Sequence, residues 1–170
     1  HYSDDVEEIF RRLIDDNSEL TGSIDEANAV GQRIESKDLD RQKAIALVNL
    51  YTQETPFYSS LNTQLRSGNP SQLWKDAGDL LDRAVDILGK SVVSPVYHGK
   101  SYFDRAVQVD ERVSFNQFSS TSKSPYISAQ FADGGYMFEI SNVDGLDVRM
   151  YSAIPDEDEI VLKYTAMYKV

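Results

Sequence analysis

Four successive acidic residues, at positions 156–159, run directly into the apolar segment Ile160-Val161-Leu162. These three apolar residues are typical of the start of a buried strand. Because side chains alternate between the two faces of a strand, Glu157 and Glu159 would point the same way. Two carboxylates on one face can act on one substrate, although an acidic run beside a strand is also commonly a solvated turn.

The spacing of the two glutamates narrows the reactions that such a pair can catalyse. Residues i and i+2 of a strand have Cα atoms roughly 6.5 to 7 Å apart. The pair therefore cannot easily flank a glycosidic bond from opposite sides, as the carboxylates of a glycoside hydrolase do. Two carboxylates on one side suit a different division of labour, in which one stabilises a developing oxocarbenium ion and the other deprotonates an incoming nucleophile.

Two further polar clusters in the second half of the chain could contribute to such a site. Tyr97-His98-Gly99 follows an apolar segment, and its glycine would let a ligand approach the main chain closely. Ser119-Ser120-Thr121-Ser122 offers hydroxyl groups that can donate hydrogen bonds to a carboxylate. Both clusters also have ordinary structural interpretations, namely a histidine bonded to a carbonyl at the edge of the core and hydroxyls that cap the end of a strand.

Composition restricts the class of partner. The 170 residues carry a formal net charge of −11, which disfavours a nucleic acid or an anionic membrane as the main partner. Because the chain has no cysteine and two histidines, it lacks a thiol nucleophile and offers little to a metal ion. No apolar run is long enough to span a bilayer. We therefore expect no metal, no nucleic acid and no membrane, and a neutral or basic partner fits best.

The elements that must position these residues change their apolar period near residue 91. Before it, apolar residues at helical spacing predict five helices, near 3–16, 23–34, 39–52, 56–66 and 70–88. Ser3 is the predicted N-cap of the first helix, Ser23 and Glu26 form a capping box at the second, and Pro70 lies in the first turn of the fifth.

The second half instead shows short apolar segments separated by Gly, Asp, Asn or Pro. These predict six strands, near 92–97, 107–113, 115–121, 136–140, 146–151 and 160–170, and one helix at 125–132. The expected fold is α+β, with residues 1–170 as a single domain. In it, an N-terminal helical lobe, residues 1–90, packs on a mostly antiparallel β core, residues 91–170.

The order of the motifs resembles that of the mono-ADP-ribosyltransferase family. The matching residues are Phe118, Ser120-Thr121-Ser122, Ala129, Phe131, Tyr136 to Ile140 and Glu157-Asp158-Glu159. The resemblance is to the branch that carries an arginine on the first strand, a Ser-Thr-Ser strand and a Glu-x-Glu pair, and it extends from about residue 41 to the end. It implies a mixed, mostly antiparallel two-sheet core that binds NAD as a substrate.

The resemblance also implies catalytic roles. Glu159 would be the catalytic glutamate, which binds a ribose hydroxyl of NAD and stabilises the oxocarbenium ion as nicotinamide leaves. Glu157 would activate the acceptor, and a glutamate at that position points to arginine in this family. Ser120 would hold Glu159 in place.

Contacts with NAD and with a target protein are implied for other positions. Thr121 and Ser122 would shape the NAD cleft, and the main chain of Gly99 would bind the nicotinamide amide. Phe131 would stack on the nicotinamide ring. Tyr151 and Ser152, in a loop from about residue 145 to 155, would read the target protein.

One position departs from this branch, because His98 stands where the branch has its arginine. The sequence Tyr97-His98-Gly99 is similar instead to the diphtheria-toxin and poly-ADP-ribose polymerase branch, whose histidine contacts the NAD ribose. A neutral histidine can hydrogen-bond a ribose, but it cannot make the bidentate phosphate contact of arginine. The chain is then a hybrid of the two branches, or a member of the arginine branch with a substituted or engineered residue.

Three functions are compatible with these features. The first is an arginine-directed mono-ADP-ribosyltransferase, a toxin, effector or phage-encoded modifier that is secreted or injected into a target cell and acts in its cytoplasm. In the second, an NAD glycohydrolase, water replaces the protein acceptor. The third is a catalytically impaired module of the same fold that binds NAD or protein.

Overall fold

The computed structural model describes residues 1–89, 91–93, 95–100, 108–115, 117–141, 143–153 and 159–169. Glu157 lies outside these residues, as do the side chains of Ser120 and Phe131. The first half of the chain forms helices α1 (Tyr2–Asp16), α2 (Thr21–Ile34), α3 (Leu39–Thr52), α4 (Pro56–Arg66) and α5 (Gln72–Ile87). A 3-10 turn, Ser18–Leu20, joins α1 to α2.

Three predictions about helix starts were wrong. Helix α1 begins before Ser3, whose main-chain N–H instead donates to Asp40 Oδ1 at 2.9 Å. Helix α2 begins at Thr21 because the 3-10 turn leads straight into it, so Ser23 lies inside the helix and forms no cap. Pro70 precedes α5, whose N-cap is Ser71.

The second half contains strands β1 (Ser91–Val93), β2 (Val96–Lys100), β3 (Arg112–Val113), β4 (Ser119–Ser122), helix α6 (Pro125–Ala132), and strands β5 (Tyr136–Ile140), β6 (Val143–Asp147), β7 (Glu159–Leu162) and β8 (Tyr168–Lys169). Among the described residues they form a six-stranded sheet of order β1-β6-β7-β4-β2-β5 and a two-stranded sheet of β3 and β8. All of these neighbouring strands pair antiparallel. The α+β architecture with two sheets is therefore confirmed.

Several predicted strands are shorter or divided. The segment predicted at 92–97 is two strands with different partners, since β1 pairs with β6 while β2 pairs with β4 and β5. The strand predicted at 146–151 ends at Asp147, because the main-chain N–H of Tyr151 donates to Val148 O at 2.9 Å and turns the chain. A similar turn, from Ala166 N to Lys163 O, divides the strand predicted at 160–170 into β7 and β8.

Strand β7 is buried on both of its faces. Val161 packs in the large apolar core that the helices share with the sheet. Ile160 and Leu162 point the other way, into a second apolar cluster with Val96 and Phe115. The strand that begins with Glu159 is thus held between two cores.

In the part of the chain that the structure describes, no helix combines the length and the apolar character that crossing a membrane requires.

Candidate active site

A row of residues on three neighbouring strands brings the polar motifs together. Glu159, the first residue of β7, lies directly opposite Ser122, the last residue of β4. Ser122 in turn lies directly opposite Tyr97 of β2. Residues directly opposite one another in antiparallel strands share a face, with Cβ atoms about 4.5 to 5.5 Å apart. We call Tyr97, Ser122 and Glu159 the cross-strand row.

The main chain around Glu159 is fixed from both neighbouring strands. On one side, Val148 N donates to Glu159 O at 3.2 Å. On the other, Thr121 Oγ1 donates to Ile160 O at 2.7 Å. The buried Thr121 hydroxyl makes this bond and so helps to fix β7, while its part in shaping an NAD cleft stays a prediction. Glu159 itself is half-buried at the start of the strand.

Ser120 and Ser122 lie on β4, the strand next to β7. The main chain of Ser120 pairs with Val161, two positions along from the pair of Ser122 and Glu159. Ser122 is buried, and its Oγ accepts a hydrogen bond from Ser124 N at 3.0 Å. This bond shapes the bend that leads from β4 into α6. Holding Glu159 by the Ser120 side chain, and acceptor activation by Glu157, stay predictions because both groups lie outside the described residues.

Gly99 makes room for helix α6 on the sheet. A Cβ atom at this position would lie 1.9 Å from Ser128 O and 2.7 Å from Ala132 N, so no other residue fits without moving the helix. Ser128 Oγ also donates to Tyr97 O at 2.8 Å, which ties α6 to β2. This packing explains the glycine in structural terms. The contacts of Gly99 and Phe131 with nicotinamide stay predictions.

His98 lies on the opposite face of β2 from the cross-strand row, because it alternates with Tyr97. Its side chain is 6% exposed, and its ring centroid lies 4.7 Å from that of Phe115 and 6.5 Å from that of Phe138. The structure therefore does not bring His98 and Glu159 together. The ring packs against Phe115 and Phe138 beside the second apolar cluster, and its contact with NAD stays a prediction.

Tyr151 lies in the turn that follows β6. Its side chain is 6% exposed and belongs to the large core, where its hydroxyl accepts a hydrogen bond from Arg41 Nη2 at 3.3 Å. Tyr151 therefore anchors its turn, and its contact with a target protein stays a prediction. Ser152 is half-buried, and target recognition by it stays a prediction.

Met150 is the apolar side chain that this turn exposes, at 71%. Sequence reasoning missed it, because Met150 falls inside the strand predicted at 146–151, where a methionine is typical of a core position. Next to it, Arg149 makes bidentate hydrogen bonds to Asp147, with Nε–Oδ1 at 3.1 Å and Nη2–Oδ2 at 2.8 Å. Burial favours the neutral acid at Asp147, but the hydrogen bonds from Arg149 outweigh it and lower the pKa of this carboxyl. The turn therefore presents an apolar tip beside an ion pair.

The described residues contain no group of three or more His, Cys, Asp or Glu side chains arranged to hold a metal ion.

The chain matches a family model described as NAD:arginine ADP-ribosyltransferase over residues 15–170. No curated protein sequence matches it significantly.

Solved structures show the same fold at low sequence identity. The eukaryotic mono-ADP-ribosyltransferase ART2.2 is 22% identical, with a TM-score of 0.76, over 99% of this chain and 79% of that chain. A variant of ART2.2 in complex with NAD is 21% identical, with a TM-score of 0.77, over 97% and 77% of the two chains. Exoenzyme S from Pseudomonas aeruginosa, solved with human 14-3-3 protein beta and bound to carba-NAD, is 21% identical, with a TM-score of 0.69, over 94% and 79%.

Proposed function

Because the chain belongs to the NAD:arginine ADP-ribosyltransferase family, we propose that it transfers ADP-ribose from NAD to an arginine side chain of a protein and releases nicotinamide. The observation that carries the proposal is the position of Glu159, at the start of β7 and directly opposite Ser122. A carboxylate whose main chain is fixed by both neighbouring strands is preorganised, as electrostatic stabilisation of a cationic transition state requires.

In the proposed reaction the bond between the ribose carbon and the nicotinamide nitrogen breaks, and its electron pair leaves with nicotinamide. Positive charge develops on the ribose, and the Glu159 carboxylate stabilises it. A guanidine nitrogen of the acceptor then forms the new bond to the same carbon. Its proton passes to Glu157, whose role rests on the Glu-x-Glu sequence alone. Stabilisation realised in the transition state raises the rate constant rather than the affinity for NAD.

The relatives support NAD as the substrate, and the description of the family supports arginine as the acceptor. A variant of ART2.2 was solved with NAD, and exoenzyme S with an NAD analogue and with a human protein. The extent of the family match supports treating residues 1–170 as one ADP-ribosyltransferase domain. XopAI, a type III effector of Xanthomonas axonopodis that shares the fold at 14% identity and a TM-score of 0.59, supports the expectation of an effector. A phage origin is an expectation from sequence that no relative named here supports.

Acceptor chemistry can be tested with two peptides that differ only in arginine against lysine. The protein, NAD and each peptide are incubated together, and the products are identified by mass spectrometry. We expect ADP-ribose on the arginine peptide only. Glu157→Gln should abolish the transfer while nicotinamide release continues, because only acceptor activation is lost. Modification of the lysine peptide, or transfer that is unchanged in Glu157→Gln, would contradict the arginine assignment.

Free ADP-ribose with no modified peptide would identify the chain as an NAD glycohydrolase.

A second candidate function, NAD or protein binding without catalysis, is favoured by the burial of His98 where the family branch has an arginine. Loss of a permanent phosphate contact would weaken NAD binding and slow the reaction. Calorimetry with NAD separates the candidates. Measurable binding with no nicotinamide release would select the impaired module, and binding with turnover would exclude it.

A further inference from the structure

Polar side chains from three helices bind the main chain of the segments that flank β4 and β7. They are Asn49 of α3, Asn62 of α4 and Asp82 of α5, and all three are buried. A buried polar side chain lowers stability unless it is hydrogen-bonded. Three such side chains that all bind segments beside β4 and β7 therefore indicate a common role.

Asn62 holds the start of β4. Its Oδ1 accepts a hydrogen bond from the main-chain N–H of Phe118 at 3.0 Å, and its Nδ2 donates to Tyr51 Oη at 3.3 Å. The Tyr51 hydroxyl points in turn to Phe118 O at 3.5 Å. Phe118 immediately precedes β4, so both its N–H and its C=O face polar groups of the helices.

Asn49 holds the turn that leads toward β7. Its Nδ2 donates to Tyr151 O at 2.8 Å, and its Oδ1 accepts from Gln53 Nε2 at 3.0 Å. The same turn includes Val148, whose N–H donates to Glu159 O. A short chain of main-chain and side-chain hydrogen bonds therefore connects α3 to the catalytic candidate Glu159.

Asp82 holds the turn after β7. Its Oδ1 accepts from Tyr164 N at 3.2 Å and its Oδ2 from Thr165 Oγ1 at 2.8 Å. Lys163, the first residue of this turn, pairs with Asp86 one helical turn further along α5, with Nζ–Oδ2 at 3.1 Å. The C-terminal end of β7 is thus fixed to α5.

We propose that Asn49, Asn62 and Asp82 are positioning residues that keep β4 and β7 in the register in which Glu159 faces Ser122. A slip of one residue would place Ile160 opposite Ser122 and turn Glu159 to the other face. Smaller displacements matter as well, because a shift of about 1 Å in a catalytic group can lower a rate roughly a hundredfold. The proposal rests on the proposed function of the same site.

The test compares Asn62→Leu with a matched control, Tyr2→Phe. Tyr2 is equally buried, and its hydroxyl donates to Leu80 O at 2.9 Å, so the control loses a buried hydrogen bond within the helical lobe. Both variants should have a lowered Tm. At a temperature where each is fully folded, Asn62→Leu should lower kcat for nicotinamide release about tenfold or more with KM for NAD unchanged. Tyr2→Phe should keep kcat within about twofold.

A purely structural role for Asn62 predicts a different outcome. The Tm of both variants would then fall by a similar amount while both retain the wild-type kcat. That result would overturn the proposal. If Asn62→Leu does not fold, Tyr51→Phe replaces it, because it keeps the volume of the side chain and removes one donor of the same network. Tyr51→Phe should lower kcat in the same way as Asn62→Leu. An unchanged kcat would again overturn the proposal.

Hydrogen exchange of main-chain amides gives a readout that needs no activity. In Asn62→Leu, protection of residues 119–122 and 159–162 should fall about tenfold more than that of residues 137–140 of β5, whereas Tyr2→Phe should lower all three alike. An equal loss of amide protection in all three segments of Asn62→Leu would reject the positioning role. Absence of NAD turnover in the wild-type protein would instead reject the proposed function, and the exchange pattern would still decide on the positioning residues.

Discussion

Glu159 faces Ser122 across two strands that are both bounded by hydrogen bonds to buried helix side chains. The half-buried carboxylate therefore lies on a rigid element and not on a loop. This arrangement fits chemistry in which a fixed negative charge meets a positive charge that develops at a sugar carbon. It also makes several properties of the molecule measurable.

Gly99→Ala should destabilise the protein strongly. The new methyl group would meet main-chain atoms of α6, with Ser128 O at 1.9 Å, and a backbone cannot yield as a flexible side chain can. Overpacking of this kind costs about 1 to 3 kcal/mol or more. Chemical denaturation measures the change in the free energy of unfolding.

The control for this substitution is Gly22→Ala, because a Cβ atom at position 22 of α2 would have nothing within 4 Å. It should leave stability unchanged or raise it by up to about 1 kcal/mol, since alanine favours helices. Equal effects of the two substitutions would show that α6 does not pack on Gly99 in solution.

Asp82 should make stability depend on pH. Burial raises the pKa of its carboxyl to about 6, although hydrogen bonds from Thr165 and the charge of Lys163 oppose the shift. Because the folded-state pKa lies above the unfolded value, the contribution of the neutral acid is fully present below about pH 4 and is lost as the pH rises through about 6. The other charged groups around it are Asp79, Asp86 and Lys75.

The variant Asp82→Asn tests this sign. As the pH rises from 4 to 8, the unfolding free energy of Asp82→Asn should increase relative to that of the wild type. Most of this change should fall between pH 4 and 7. Groups whose pKa is lowered by ion pairs, such as Asp76, are present in both proteins and cancel. A difference that stays constant over this range would contradict the raised pKa.

Tyr151→Ala should cost about 3 to 5 kcal/mol of stability, as loss of a buried aromatic ring does. Its neighbour Met150 is exposed, so Met150→Ala should change stability by no more than about 0.5 kcal/mol. Thermal unfolding of the two variants compares them directly. A mild effect at Tyr151 would contradict its role as a core anchor and would favour its contact with a target protein.

His98→Arg should destabilise the protein rather than restore the activity of the arginine branch. The guanidinium would enter a cluster that contains Phe115 and Phe138, and burying a charge there costs roughly 2 kcal/mol or more even after attraction to the aromatic rings. Tm and NAD binding are measured on the same samples. Unchanged Tm together with tighter NAD binding would show that the side chain at position 98 reaches the NAD cleft.

Local sequence was sufficient where an element depends on its own residues. The predicted limits of α3, α4, α6 and β5 agree with the structure. Pro56 and Pro125 mark the starts of α4 and α6. The starts of α1, α2 and α5 were not predictable in this way. The local 3-10 turn Ser18–Leu20 leads into α2, and in α1 the N–H of Ser3 donates to Asp40, which is distant in the sequence.

The candidate site was harder to predict for the same reason. The polar motifs were recognisable from their order, and the structure pairs the strands that carry them, β4 and β7. The burial of Tyr151 depends on Arg41, 110 residues earlier in the chain. The burial of His98 depends on Phe115 from a segment beyond its own strand. Pattern within a segment does not report such long-range contacts.

In the proposed reaction Glu159 stabilises the cationic transition state of NAD cleavage. The most direct measurement compares nicotinamide release by the wild-type protein, by Glu159→Gln and by Glu26→Gln, which makes the same change at an exposed position of α2. Glu159→Gln should lower kcat by roughly a hundredfold or more without loss of folding, and Glu26→Gln should have no effect. Wild-type kcat in Glu159→Gln would contradict this role of Glu159.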